Sequence, residues 1–225
     1  MSLLACYGGS FDPVHLGHLA VAGAVRDALG AEVLLIPAGD PPHKARTGAT
    51  AAQRLRMLQL AVEDRPGLRV DAMELERDGP SWTIDTVAML RERHGPRRPI
   101  AWVVGGDSLL QLDTWRRWRD LFGYVHLLAV ARPGAPLGAD DIASRAPAVA
   151  GELAARRGDP AALSCSPAGG FAVLELDALR PESSTEARRR IAAAGDWEPM
   201  LPPAVAAFIR ASRLYGYGTT TAPPL

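Results

Sequence analysis

Asparagine is absent from this chain, and lysine occurs once among 25 basic residues. The bias fits GC-rich coding, in which arginine is the expected base. The one lysine, Lys44, therefore stands out, because a compact charge on a flexible stem does what a planar guanidinium cannot. Cysteine is scarce too. Cys6 and Cys165 sit in unrelated segments without a CxxC pattern, and they read as free thiols in a reducing compartment. No apolar run approaches the ~18 residues of a spanning helix, and no basic n-region or cleavage site opens the chain. These absences predict a cytoplasmic location and no membrane partner. An excess of one charge is also missing. Formal net charge is zero, and no basic block marks a nucleic-acid surface. Phosphate binding, if present, has to come from local placement of donors.

What is there is an alternation of apolar runs and helical patterns. Candidate strands cover residues 3–7, 32–37, 68–73, 100–104, 125–131 and 171–176. Helical spacing covers 16–29, 51–63 and 83–94, with two short helices near 108–112 and 115–122. Helices over 183–194, with a Ser183/Glu186 capping-box pattern, and 202–214 close the chain. The order predicts an α/β fold: a Rossmann-like, doubly wound parallel sheet with helices on both faces and a C-terminal helical segment. Its length fits one domain over residues 1–215. Residues 133–170, rich in Ala, Gly and Pro, read as a variable surface excursion with one helix around 142–157. Residues 216–225 read as a disordered polar tail.

The polar clusters fall where such sheets bind ligands, beyond the carboxyl ends of the strands. The first is Gly8-Gly9-Ser10-Phe11-Asp12-Pro13-Val14-His15-Leu16-Gly17-His18. Its glycines let a ligand approach the backbone. His15 and His18 are three apart, so they share a helix face at an anion-favouring N-terminus. Strand, glycine turn and paired imidazoles describe a triphosphate cradle. The alternative is one core and one surface histidine, which leaves their place at a strand-to-helix junction unexplained. Ser183-Ser184-Thr185-Glu186-Ala187-Arg188 puts three hydroxyls at another helix start, for phosphate oxygens or for simple capping. Trp115 either stacks on a heteroaromatic ring or anchors a short helix. Arg116, Arg117 and Arg119 read as a solvated face. His94 and His126 receive no role.

Gly-Ser-Phe-Asp-Pro-Val-His-Leu-Gly-His resembles the signature of the HxGH nucleotidyltransferase superfamily. Ser183, Thr185 and Arg188 resemble its second motif, with Glu182 and Ala187 in place of two isoleucines. The further series Pro41-Pro42-His43-Lys44, Ser81-Trp82-Thr83, Gly105-x-Asp107-Ser108-Leu109 to Trp115, and Ala131-Arg132-Pro133-Gly134 resembles the bacterial nicotinate-nucleotide adenylyltransferase family. Trp82 stands where tyrosine is expected. The resemblance implies AMP transfer from ATP to nicotinate mononucleotide, giving deamido-NAD and pyrophosphate. It implies catalytic roles for His15, His18, Lys44 and Arg188. ATP would meet Gly8, Gly9, Ser10, Phe11, His15, His18, Gly105, Asp107, Ser183, Thr185 and Arg188. Nicotinate mononucleotide would meet His43, Lys44, Trp82, Thr83, Trp115 and Arg132. Mg²⁺ would be held mainly through ATP, with no protein metal ligands. Phosphopantetheine or nicotinamide mononucleotide as acceptor, a catalytically silent nucleotide-binding module, and a homo-oligomeric state stay open.

Overall fold

A computed structural model describes residues 2–39, 48–77, 79–131, 137–176, 178 and 181–218. Six strands form one parallel sheet: β1 (Leu4–Gly9), β2 (Glu32–Pro37), β3 (Leu68–Val70), β4 (Ile100–Gly105), β5 (His126–Ala131) and β6 (Phe171–Glu175), in the order β3-β2-β1-β4-β5-β6. The helices that follow the first strands are α1 (Leu16–Leu29), α2 (Ala51–Val62) and α3 (Thr83–His94). After β4 come α4 (Gly106–Leu109), then α5 (Ala139–Arg145) and α6 (Pro147–Ala154), then α7 (Ser184–Ala192) and α8 (Pro203–Ala211).

Side chains on a strand alternate faces, and each central strand feeds two cores. Ala5, Val33, Leu35, Ala101, Val103 and Leu128 belong to one buried cluster with residues of α1, α2, α7 and α8. Leu4, Cys6, Leu34, Ile36, Trp102 and Leu127 belong to the other, with residues of α3 and α6. Both faces are therefore covered, as the continuous apolar runs predict. The chain leaves α1 at Gly30, whose φ of 55° suits glycine.

Three local expectations fail. The helix expected over 115–122 is a 3₁₀ segment, Trp118–Gly123, because Arg117 takes a left-handed conformation (φ 52°) ahead of it. The helix expected around 142–157 is two helices. Pro147 opens α6 and restricts Ala146 to an extended φ of −146°. Ile142, Ala146, Val149 and Leu153 from this pair are buried in the second core. The strand expected over 68–73 ends at Val70.

His126 gains a role that no neighbouring residue announced. Its Nε2 lies 2.8 Å from the Ser166 carbonyl, and its Nδ1 accepts the Gly170 N–H at 2.9 Å. The ring is 1% exposed, and burial lowers its pKa, with Arg91 acting in the same direction and the Ser166 carbonyl opposing. Below pH ~6.5 the unfolded chain takes up a proton that the folded ring resists, so stability is full above that pH and falls as pH drops. An NMR titration of the ring is expected to give a midpoint below 6.5. A midpoint at or above it would remove this bracing role.

Candidate active site

The strand order reverses between β1 and β4, since β1 pairs with β2 on one side and β4 on the other. Ligands of open α/β sheets bind in the crevice at such a point. A cavity of about 670 Å³ lies there. Of the expected residues, Gly8, Gly9, Ser10, His18, Trp82, Thr83, Gly105, Asp107 and Trp115 line it. His43, Lys44 and Arg132 lie outside the described residues.

His15 and His18 cap α1 reciprocally. The His18 N–H donates to His15 Nδ1 at 3.3 Å, and the His15 N–H donates to His18 Nδ1 at 3.2 Å. A neutral imidazole that accepts at Nδ1 carries its proton on Nε2. Both rings thus keep Nε2–H as a donor. They stack with centroids 3.6 Å apart. His15 is buried, whereas His18 lines the cavity. The pair therefore fills two needs: it satisfies orphan N–H groups of the first turn, and it presents an N–H donor at the positive helix end.

Phe11, expected to pass under the nucleotide with Gly8, Gly9 and Ser10, does not line the cavity. Its ring is fully buried. It meets His18 edge-on at 4.9 Å and packs behind Gly9, where a Cβ would come within 3.1 Å of it. Phe11 therefore supports the His18 ring. Gly8 also has an internal reason: a Cβ there would sit 2.5 Å from the Trp102 ring.

The start of α7 is docked onto the start of α1. Ser184 Oγ donates to the Pro13 carbonyl at 2.9 Å, and Arg188 Nη1 donates to the Asp12 carbonyl at 2.6 Å. Ser183 Oγ accepts the Glu186 N–H at 3.2 Å, and Thr185 Oγ1 accepts from Arg188 Nη2 at 3.4 Å. Only half of the expected capping box forms. Arg189 and Arg190 engage the Glu186 carboxylate and hold its pKa down to about 2. Ser183, Thr185, Arg188 and His15 do not line the cavity itself. They gather where the start of α7 docks on the Asp12–Pro13 segment that leads into α1.

The sequence profile of the cytidylyltransferase-like family matches residues 6–190. A protein of Stenotrophomonas maltophilia (strain K279a), named "Probable nicotinate-nucleotide adenylyltransferase", is 49% identical over 96% of this chain and 97% of its own. One of Laribacter hongkongensis (strain HLHK9), with the same name, is 47% identical over 94% of each chain. The chain belongs to the nicotinate-nucleotide adenylyltransferase family. It is a nucleotidyltransferase with the Rossmann-like fold of that family. The solved structure of the Plasmodium falciparum nicotinic acid mononucleotide adenylyltransferase complexed with NaAD superposes with a TM-score of 0.74. It covers 98% of this chain and 100% of that one at 16% identity, a likeness of fold.

Three residues of this family member carry site geometry that the sequence reading passed over. Asp12 is buried inside the first motif. Arg54 is 1% exposed and bridges the Ser10 and Gly39 carbonyls at 2.9 and 3.1 Å. The signal for it was available: Arg54 shares the apolar stripe of Met57, Leu58 and Ala61 on α2. Arg116 lines the cavity, with its guanidinium 5.4 Å from the centre of the Trp82 ring. Arg116 is exposed, as the sequence predicts, and its exposed guanidinium faces this cavity. Arg117 pairs with Asp120, and Arg119 with Glu152. Trp115 is half-buried at the edge of the second core and lines the cavity, outside any helix.

Proposed function

We propose that the protein transfers AMP from ATP to nicotinate mononucleotide, releasing pyrophosphate and forming deamido-NAD. The carrying observation is the stacked His15–His18 pair at two converging helix N-termini, beside the cavity at the sheet's switch point. A phosphate oxygen of the mononucleotide attacks the α-phosphorus of ATP in line. A new P–O bond forms as the bond to the pyrophosphate oxygen breaks. The attacking monoester has a second pKa of about 6, so it arrives ionised and needs no general base. Catalysis is positioning and charge stabilisation.

In this reading His18 Nε2–H donates to the reacting phosphate, and His15 holds the His18 backbone and shares the triphosphate. Arg188, Ser183 and Thr185 support the outer phosphates. Gly8, Gly9 and Ser10 pass under the nucleotide, and Gly105 and Asp107 face the adenosine ribose. Trp115 stacks on the pyridine ring, with Trp82 and Thr83 at its substituent. From the sequence resemblance, His43, Lys44 and Arg132 bind the mononucleotide and Lys44 also supports the triphosphate. Mg²⁺, bound mainly through ATP and water, would neutralise triphosphate charge. The donors gathered where α7 meets the start of α1 are imidazole, hydroxyl and guanidinium groups, which suit phosphate oxygens. No group of three metal-ligating side chains gathers among the described residues. We place this activity in a single domain over residues 1–215, in the cytoplasm, with no nucleic-acid or membrane partner. No helix among the described residues is long and apolar enough to cross a membrane.

The test is product analysis with ATP and a panel of nicotinate mononucleotide, nicotinamide mononucleotide and phosphopantetheine. Stoichiometric deamido-NAD and pyrophosphate from the first is the expected result. A product from phosphopantetheine alone overturns the reading. Trp115→Ala is expected to raise KM about 3–10-fold for either pyridine mononucleotide, the size of one aromatic stacking contact. An unchanged KM in steady-state assays removes the stacking role.

A further inference from the structure

Outside the residues given catalytic roles, Asp12 is a heavily engaged side chain of the first motif. It is 3% exposed. Its Oδ2 accepts the Gly48 N–H at 2.7 Å, and its Oδ1 accepts the Ala49 N–H at 3.1 Å. The Tyr215 hydroxyl donates to Oδ1 at 2.8 Å, across 203 residues of chain. Arg188 stands just beyond this set, with Nη1 at 3.7 Å from Oδ2. The same nitrogen donates to the Asp12 backbone carbonyl at 2.6 Å instead.

A guanidinium beside a carboxylate ordinarily closes into a short, two-pronged pair. Such a pair would spend the Arg188 charge inside the protein. Here three other donors take most of the carboxylate's acceptor sites, and the guanidinium stays at 3.7 Å from Oδ2 with its hydrogen bonds on the Asp12 backbone carbonyl and on Thr185. We propose that Tyr215 is a positioning residue for Arg188: its hydroxyl, with the Gly48 and Ala49 amides, competes for Asp12 and holds the guanidinium back from a short, two-pronged pair, leaving its N–H donors directed to the triphosphate. The inference rests on the role proposed above for Arg188.

The local structure is built around this contact. Tyr215 adopts a left-handed conformation (φ 56°) after the buried Leu214. A Cβ at position 48 would come within 2.9 Å of the Tyr215 ring and 3.3 Å of Arg188 Cδ. Glycine there lets both side chains reach Asp12. Burial and the Asp12 charge push the phenol pKa up, so the hydroxyl stays a donor at any working pH. The C-terminal turn thereby becomes part of the phosphate site, although it does not line the cavity.

Tyr215→Phe deletes the hydroxyl and keeps the ring packing. Calorimetry with inorganic pyrophosphate and steady-state kinetics are the readouts. Pyrophosphate affinity and kcat/KM for ATP are each expected to fall about 10-fold, the loss of one charge-assisted contact. KM for nicotinate mononucleotide is expected to stay unchanged, which a general loosening of the fold would not allow. Adding Asp12→Asn to Tyr215→Phe is expected to restore pyrophosphate affinity, because a neutral amide competes for the guanidinium far less strongly than a carboxylate does. Wild-type pyrophosphate affinity in Tyr215→Phe overturns the proposal, as does an equal loss in KM for the mononucleotide. If the double variant does not fold, the single variant decides alone. A wild-type protein that binds pyrophosphate but makes no deamido-NAD sinks the functional reading and leaves the Tyr215 comparison standing. One that binds no pyrophosphate overturns both.

Discussion

His18→Ala is expected to lower kcat by about 10²–10³ while ATP still binds, the usual cost of removing one preorganised donor at a centre of developing charge. The geometry makes the loss specific. Nδ1 is occupied by the His15 N–H at 3.2 Å, so the proton the ring offers a phosphate is the one on Nε2. Phe11 sits edge-on at 4.9 Å and His15 stacks at 3.6 Å, which fixes the ring plane. Alanine removes the donor and also the acceptor for the His15 N–H, so a stability cost of about 1 kcal/mol accompanies it. His18→Asn keeps an acceptor for that N–H and a shorter donor, and is expected to lie between the two. Single-turnover rates at saturating ATP, with ATP affinity from calorimetry, separate chemistry from binding. Turnover of His18→Ala within threefold of wild type would falsify the assignment.

Nicotinate mononucleotide is expected to exceed nicotinamide mononucleotide in kcat/KM by up to about 10⁴, the range open to a site built around one polar match. The substrates differ by a carboxylate against a neutral amide. Trp82 and Thr83 line the cavity at the start of α3, and Trp82 supplies no side-chain cap to that helix. First-turn N–H groups there favour an anion, and they bond a carboxylate about twice as strongly as a neutral oxygen. The amide would turn its NH₂ toward a donor and leave a buried group unpaired. Arg116, over the Trp82 ring, adds positive charge on the same side. Thr83→Val is expected to hurt the acid more than the amide. Competition assays with both mononucleotides decide it, and equal use sinks the acid-specific assignment while leaving adenylyl transfer intact.

Most of the scaffold was readable from local pattern. The bounds of α1, β2 and α3 match their apolar spacing to the residue. Helix spacing and strand alternation are short-range consequences of backbone geometry, so a window of a dozen residues contains them. The first motif also placed His15 and His18 at a strand-to-helix junction, because glycine, proline and the apolar run on either side are local signals. The misses are local too where one residue overrides the pattern. Arg117 in a left-handed conformation breaks the expected 115–122 helix, and Pro147 splits the 142–157 helix.

The sequence by itself determined the alternation of elements, the two-sided core and the family motifs, since each depends on neighbours along the chain. Only the tertiary structure decided how the polar groups of those motifs are spent. Ser184 reaches Pro13 across 171 residues, and Tyr215 reaches Asp12 across 203. Phe11 turned inward to brace His18, Arg54 tied Ser10 to Gly39, and Arg116 swung over Trp82. A buried donor or acceptor must find a partner. The chain names the group, but which distant element arrives to satisfy it is fixed only when the sheet order and the helix packing are.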